Sequence, residues 1–374
     1  PEPQSPTTWS ADNGNGTFSN PLFFDEFSDP DMIRVRSDYY LTGTTMHTSP
    51  GLPILHSKDL VNWTLLSYAS DRLDLGPAFR LDNDKDIYGR GIWAPSFRHH
   101  NGTFYIFANV TGHPTLVYTA SKPTGPWKRT TMKRGFHDLS VLFDDDGKTF
   151  IAWGYRDIRI AQLNDTLDDI VPGTEQAPFG PESIMGEGAH FLKINGMYYI
   201  ISAWYAGGFR MPCARAKSPF GPYEIHPSIS TCEAFGITQG YRLRSDKGDK
   251  FDISAPDPSR DGIATAIHQG GIVDTKSGEW WGYSMMDANS IGRLTCLSPI
   301  SWVDGWPMFG LPGNVGRTPR TWVKPTTGAR TKPSSPYTRS DSFKGPKLAN
   351  VWQWNHHPDD SKWSLKTRRD WLSL

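Results

Sequence analysis

Five residues open five similar stretches of this chain, and their types suit one kind of chemistry. Asp29 stands before Pro30 and the strand-like run Asp31-Met32-Ile33-Arg34-Val35. Trp93 opens Trp93-Ala94-Pro95-Ser96-Phe97. Asp138 lies in His137-Asp138-Leu139-Ser140-Val141-Leu142-Phe143. Glu187 opens Glu187-Gly188-Ala189-His190-Phe191-Leu192, and His268 opens His268-Gln269-Gly270-Gly271-Ile272-Val273. If these stretches are equivalent elements set around one axis, three carboxyls, one indole and one imidazole converge on a single pocket. Such a set can cleave a glycosidic bond by proton transfer. One carboxylate activates water, a protonated carboxyl opposite it gives its proton to the leaving oxygen, and a further charge tunes that acid. Taken singly, each acid reads as a turn or strand-end cap, Trp93 as core packing and His268 as a hydrogen-bonded core histidine. Their recurrence at equivalent positions argues for a site. Proline restricts the residue before it, so Asp29 is expected to be extended and held in one orientation.

The elements that must position these residues follow from the turns. Asn101-Gly102, Asp146-Gly147, Asn195-Gly196 and Ser277-Gly278 each separate two apolar runs, the strongest short signal for a β-hairpin. Further pieces recur as well. Ala120-Ser121-Lys122-Pro123-Thr124-Gly125-Pro126-Trp127 is echoed by Ala216-Lys217-Ser218-Pro219-Phe220-Gly221-Pro222-Tyr223, at nearly the same offset from Trp93 and from Glu187. A four-stranded unit repeated five times predicts an all-β, five-bladed β-propeller, whose innermost strands line a central channel. A large β-sandwich with ordinary hairpins is the competing fold, but it does not require an in-phase repeat.

Bulk composition agrees. The chain has 374 residues, with 39 Lys+Arg against 39 Asp+Glu, so no global field favours nucleic acid or an anionic membrane. No apolar run approaches the length of a membrane-spanning helix. Aromatics make up 13%, with 36 Gly and 30 Pro, as suits a turn-rich β protein with aromatic sugar platforms. Asn15, Asn62, Asn101, Asn109 and Asn164 head Asn-x-Ser/Thr sites, which favours secretion. The start at Pro1 without Met reads as a mature, processed form. Cys213, Cys232 and Cys296 are an odd set without zinc spacing; Cys213 and Cys232 flank the outer edge of the fourth unit and could bridge. Asp144-Asp145-Asp146-Gly147 lacks the closing Glu of a calcium loop and reads as a hairpin turn. The organisation expected is a wrapping or disordered lead over 1–20, the propeller over 21–323, and a Pro/Ser/Thr-rich linker over 324–340. The opening of a β-sandwich domain follows over 341–374, incomplete and read as truncated or cleaved. A longer insertion, roughly Ser228 to Ala264, is expected as a loop or flap near the pocket.

With these residues in place the chain resembles glycoside hydrolase family 43. The resemblance lies in Ser28-Asp29-Pro30-Asp31, Leu55-His56-Ser57-Lys58-Asp59-Leu60-Val61-Asn62-Trp63, Trp93-Ala94-Pro95, His137-Asp138-Leu139-Ser140, Glu187-Gly188-Ala189-His190 and Ser301-Trp302-Val303-Asp304-Gly305-Trp306-Pro307. It covers about residues 20–323, and the short tail resembles the start of an appended β-sandwich. The resemblance implies an inverting hydrolase of β-D-xylosides or α-L-arabinofuranosides. Asp29 would be the general base, Asp138 the residue setting the acid's pKa and orientation, and Glu187 the general acid. Trp93 would wall the sugar pocket and Arg293 reach the bound sugar. His268 matches a channel histidine that in some members helps hold a calcium ion through water; no cofactor is otherwise implied. The family's β-xylosidases often carry an aromatic-rich loop where this chain reads Thr44-Thr45-Met46-His47-Thr48-Ser49-Pro50-Gly51. That departure favours an α-L-arabinofuranosidase on arabinoxylan, a secreted enzyme on plant cell-wall polysaccharide, over an exo-acting β-D-xylosidase on xylo-oligosaccharides. A sugar-binding propeller without catalysis would not need three converging acids, and a retaining propeller glycosidase carries a different motif set.

Overall fold

The computed structural model describes residues 9–81, 87, 89–204, 210–230, 235, 242–246, 250–254, 267–287, 291–337 and 340–374. Five antiparallel sheets follow one another along the chain as the blades of a propeller. The first blade runs Ser28–Val35, Asp38–Thr44, Gly51–Ser57 and Trp63–Ser70, and the second Ile92–His100, Thr103–Val110, His113–Ala120 and Lys128–Thr131. The third is Ser140–Phe143, Thr149–Trp153 and Arg159–Leu163; the fourth is Glu187–Ile194, Met197–Ala203, Cys213–Ala216 and Glu224–His226. The fifth begins with Ile267–Asp274, Trp280–Asp287 and Arg293–Val303 and adds Trp306–Leu311 and Asn314–Val315. The blades are thus not uniformly four-stranded. In the third, the Pro- and Gly-bearing chain after Leu163 forms no fourth strand and pairs with the sheet through isolated bridges, Leu163 to Ile170 and Ile160 to Gln176. Proline lacks the N–H a ladder needs.

The turns behave as their residues dictate. Asn101-Gly102 and Asn195-Gly196 close two-residue hairpins, pairing His100 with Thr103 and Ile194 with Met197. All four turn residues have positive φ, as a type I′ turn demands. The echoed Gly-Pro segments fold alike: Gly125 N donates to Lys122 O and Gly221 N to Ser218 O, and each leads into an outermost strand.

Apolar side chains fill the five gaps between neighbouring blades. Ile54, Phe97 and Ile106 pack between the first and second, and Phe107, Val141 and Ile151 between the second and third. Phe150, Phe191 and Ile200 lie between the third and fourth, Ile201, Ile272 and Phe309 between the fourth and fifth. Phe27, Leu41, Tyr283 and Leu297 close the ring. Burying each such side chain contributes on the order of 1.5–3 kcal/mol. Thr17–Ser19 pairs with Thr321–Val323, tying the start of the ring to its end. The buried Asn20 amide donates to Leu297 O and Pro319 O.

A polar belt lies inside the apolar gaps. Asp31, on the innermost strand of the first blade, accepts bonds from Phe97 N at 2.8 Å, Arg98 Nη1 at 2.6 Å and Tyr283 OH at 2.8 Å. Arg98 continues to Val141 O and Ser140 Oγ, and Ser140 Oγ receives Phe191 N. One buried carboxylate and one guanidinium therefore connect all five blades. Burial opposes the charge on Asp31, yet Arg98, His190 and the amide of Phe97 hold its carboxyl far below the usual range. Removing one partner of such a pair strands the other in a water-poor site, at about 3–5 kcal/mol. Asp31→Ala is expected to lower the thermal midpoint steeply. Asp31→Ala/Arg98→Met is expected to recover part of that loss, as thermal melts of the two proteins would show.

The segment after the ring is strapped to the first blade. Lys324 Nζ reaches Asp12 at 2.6 Å and Asp59 at 3.0 Å. Asn62 donates to Asp12 and Asp59 and accepts from Ser334 N. Asn62 is therefore buried and fully engaged, and cannot carry a glycan in this fold, whereas Asn15 and Asn101 are exposed. Further on, Trp354–Asn355 pairs with Thr48–Ser49. Gln353 Nε2 bonds Thr45 Oγ1, Thr48 Oγ1 and Pro50 O, and His356 stacks on His47 at 4.5 Å. Cys213 and Cys296 are buried. Cys232, and with it the expected Cys213–Cys232 bridge, lies outside the described residues, as does most of the insertion from Ser228 to Ala264. That insertion contributes a described hairpin of Arg242–Asp246 with Lys250–Ser254.

Candidate functional site

A break in register at one end of the innermost strands aims the candidate residues into the channel mouth. The ladder shifts between Ser28 and Asp31, Ile92 and Pro95, Glu187 and His190, and His268 and Gly270. Such a bulge leaves a residue unpaired and turns its side chain. Asp29, Gly188 and Gln269 take φ of 50°, 64° and 44° within three of these shifts, and Asp138, just before the first strand of the third blade, takes 46°. The expectation of an extended Asp29 is thus corrected. Proline disfavours the right-handed helical region for the preceding residue, and the bulge draws Asp29 into the left-handed one, which aspartate tolerates better than most residues. Gly188 has a second reason to be glycine: a Cβ there would lie 2.4 Å from Cδ of Gln269.

The three acids come together. Asp29 and Asp138 are buried, at 6% and 7% exposure, and Glu187 is half-buried. Arg293 Nη1 approaches Asp29 Oδ1 at 3.3 Å, and Gly188 N donates to Asp138 Oδ2 at 3.2 Å. His137 Nε2 lies 2.8 Å from Glu187 Oε2 and 3.8 Å from Asp138 Oδ2. Trp93 is half-buried at the mouth, its indole N–H fixed on Thr111 Oγ1 at 2.8 Å. His268 is buried on the innermost strand of the fifth blade, next to Gln269, which packs against Gly188.

Electrostatics divide the acids by environment. Burial raises the Asp29 carboxyl; Arg293 opposes the rise, Asp138, Glu187 and Glu26 add to it, and the group is pushed up to about 7. Burial likewise raises Asp138, to about 6, against the opposing pull of His137. His137 is raised by its bond to Glu187 and by the negative charges around it. Like charges in a water-poor mouth cannot all ionise freely, so the cluster holds a proton within reach of a bound molecule. The arrangement offers a buried carboxylate beside a cation, a second carboxyl fixed by backbone, and a third, half-exposed carboxyl held by an imidazole. It suits acid–base cleavage of a bond whose leaving oxygen needs a proton.

Sequence reasoning singled out Asp29, Trp93, Asp138, Glu187, His268 and Arg293; the structure brings Asp29, Asp138, Glu187 and Arg293 within electrostatic reach of one another, with Trp93 and His268 on the innermost strands of the second and fifth blades. That reasoning missed His137, Gln269 and Glu26. His137 was visible as the neighbour of Asp138, Gln269 as the polar residue after His268. Glu26, which accepts from Arg293 N and from Ser28 Oγ, gave no signal because it precedes the repeat. Among the described residues, His137, Asp138 and Glu187 are the His/Cys/Asp/Glu group whose ligand atoms all lie within 4.8 Å of one another, and His268 is not part of it.

The model of a family described as glycosyl hydrolases family 43 matches residues 18–307, and that of a β-xylosidase C-terminal concanavalin A-like domain matches residues 340–374. The chain is 28% identical to a protein of Formosa agariphila named β-xylosidase, covering 97% of this chain and 62% of that one. It is 29% identical to a Bacteroides ovatus protein named non-reducing end α-L-arabinofuranosidase, covering 96% and 65%. A solved structure from Bacteroides eggerthii, titled a bifunctional GH43-CE protein, superposes with a TM-score of 0.76 at 33% identity, over 95% of this chain and 43% of that one. The chain spans about three fifths of the length of the curated relatives it matches.

Proposed function

The chain belongs to family 43 of the glycosyl hydrolases, and from that premise we propose that it removes terminal pentosyl residues from xylan-type polysaccharide with inversion of configuration. The observation that carries this reading is the convergence of Asp29, Asp138 and Glu187 on one channel mouth, with Arg293 against the first and His137 against the third. Asp29 acts as general base, taking a proton from the attacking water. Glu187 protonates the leaving oxygen, and His137 orients its carboxyl. Asp138, held by Gly188 N, raises the proton affinity of the groups around it by its charge. Arg293 keeps Asp29 ionisable despite burial and lies where it can meet sugar hydroxyls. Trp93 walls the pocket.

The first substrate proposed is the α-L-arabinofuranosyl side chain of arabinoxylan, because the loop from Thr44 to Gly51 brings no Phe or Trp to the mouth. A second reading, exo-acting β-D-xylosidase, is favoured by the docking of Gln353 and His356 on that same loop, which supplies a wall from another part of the chain. Relatives bear both names. Secretion is proposed with the substrate, since the polymer lies outside the cell. Among the described residues His268 belongs to no cluster of ligand atoms, and Asp31 is already taken up by Arg98 and Tyr283. The position of His268 fits at most a largely hydrated calcium ion, which would add positive charge beneath the site, and no step needs it. The test is kcat/KM on 4-nitrophenyl α-L-arabinofuranoside, 4-nitrophenyl β-D-xyloside and arabinoxylan, with the released sugar identified. Release of arabinose from the polymer supports the first reading and release of xylose from oligosaccharide ends the second. Inactivity on all three contradicts both.

The charge on Arg293 sets a pH prediction. It lowers the proton affinity of Asp29, whose ionised form is the working base. Arg293→Met therefore leaves Asp29 protonated to higher pH, and the acidic limb of kcat/KM is expected to move upward. An unmoved limb in the variant's pH–rate profile would show that another group sets it.

A further inference from the structure

Asp29 and Arg293 face each other from distant parts of the chain. Asp29 stands on the first strand of the first blade and Arg293 opens the third strand of the fifth, in a different sheet. Their approach to 3.3 Å is therefore made across the seam where the ring closes. The chain just before Asp29 runs along that seam. Leu297 N donates to Asn20 Oδ1 and Leu22 N to Thr295 O, each at 2.8 Å. Phe27 N donates to Arg293 O at 2.9 Å. This course brings Glu26 against the residue that meets Asp29.

The Glu26 carboxylate holds both sides of the seam. Its Oε2 accepts from Arg293 N at 3.1 Å, and its Oε1 accepts from Ser28 Oγ. With Phe27 N on its carbonyl, Arg293 is fixed at both backbone polar groups. Ser28 is fully buried and directly precedes Asp29, at the register shift that turns Asp29 toward the mouth. Gly292 makes room for the contact: it takes φ 105°, and a Cβ there would overlap Glu26 Oε2. Hydrogen bonds to a carboxylate are stronger than those between neutral groups, so the two hold the strand ends firmly.

We propose that Glu26 is a positioning residue for the general base: its carboxylate clamps Ser28 and Arg293 across the ring closure and so sets where the Arg293 guanidinium meets Asp29. The inference rests on the reading of Asp29 as base. Glu26 acts through Ser28 and Arg293 and takes no proton from water itself. A misplacement of about 1 Å at a reacting group can cost on the order of 10²-fold in rate, which is what the clamp prevents. The charged groups around Asp29 are Arg293, Asp138, Glu187 and Glu26, with His137 beside the other two acids and His47 near Glu26. Arg293 and Glu26 push the Asp29 carboxyl in opposite directions.

The experiment measures kcat/KM against pH for Glu26→Ala and Glu26→Gln, on a 4-nitrophenyl pentoside and on arabinoxylan. Glu26→Ala removes both bonds and is expected to lose roughly 10- to 100-fold on the two substrates alike, since water must be activated whatever leaves. Glutamine has nearly the same shape; its carbonyl can accept from Arg293 N while its amide donates to Ser28 Oγ. Glu26→Gln is therefore expected to recover most of that loss. Its acidic limb should move to lower pH, opposite to the shift for Arg293→Met, because a negative charge near Asp29 is gone. A residue that only stabilised the ring would lower the thermal midpoint and leave the limb in place. Three results would each overturn the clamp: Glu26→Ala within twofold of wild type, Glu26→Gln as impaired as Glu26→Ala, or an unmoved limb in Glu26→Gln. The last is read on the near-isosteric variant, so it decides the matter even if Glu26→Ala fails to fold. Failure of the wild-type protein to cleave either substrate would overturn the glycosidase reading, and the clamp with it.

Discussion

Asp29→Asn is expected to cut turnover by about 10³-fold on activated and natural substrates alike, and to raise thermal stability at neutral pH. The two effects share one cause. A carboxyl buried at 6% exposure beside two other acids ionises against the preference of its surroundings. Burial and the neighbouring acids push its carboxyl up to about 7 in the folded chain, from 3.8 when it is freely hydrated. Between those two values the unfolded chain has released the proton and the native chain still binds it. The unfolded state then holds fewer protons, so stability falls as pH rises through this window and levels off above about 7. Asparagine has no charge to bury. The stability gain of the variant should therefore be small near pH 4 and largest above pH 7, with an upper limit of roughly 4 kcal/mol, and Asp138, sharing the same burial, reduces it. Thermal melts of both proteins across pH 4–8 measure it. A gain that is constant with pH would mean that Asp29 is not the strained group. For Asp29→Ala, which leaves room, added azide should restore turnover on an activated glycoside and yield a glycosyl azide of inverted configuration.

Glu187→Ala is expected to divide substrates by leaving group. A nitrophenolate departs with little help, so loss on an aryl pentoside should stay near tenfold, whereas loss on polysaccharide should reach about 10³–10⁴. His137 sharpens the expectation. Its imidazole holds Glu187 Oε2 at 2.8 Å, so His137→Ala should show the same leaving-group dependence in weaker form. If Glu187→Ala falls equally on both substrates while Asp29→Ala shows the dependence, acid and base are exchanged.

Much of the framework was legible because it repeats. Asn-Gly turns, the two Pro-x-Gly-Pro echoes and five apolar runs in phase marked blades whose innermost strands converge and carry Asp29, Trp93, Asp138, Glu187 and His268 at or just before their starts, whereas Arg293, on the third strand of the fifth blade, came only from the family resemblance. What escaped detection depends on local geometry that repetition does not encode. The left-handed backbone at Asp29 comes from a bulge, and proline chemistry alone suggested the opposite. Asp31, next but one to Asp29, looked like part of the same motif yet faces inward to Arg98 and Tyr283 and serves the ring. The composition of residues 324–337 marks a loose connector, but Lys324, Thr331 and Ser334 are held by Asp12, Asp59 and Asn62, three polar residues distant in sequence. Glu26 was invisible for the same reason: nothing in its spacing shows that it meets Arg293 across the ring closure.

The most direct test of the central account is the anomeric configuration of the sugar first released, followed by proton NMR before mutarotation. A base at Asp29 and an acid at Glu187, acting on opposite faces, give water attack with inversion: β-L-arabinofuranose from an α-L-arabinofuranoside, or α-D-xylose from a β-D-xyloside. First-formed sugar of retained configuration would instead require a covalent glycosyl-enzyme intermediate and would contradict the assignment of Asp29 as base.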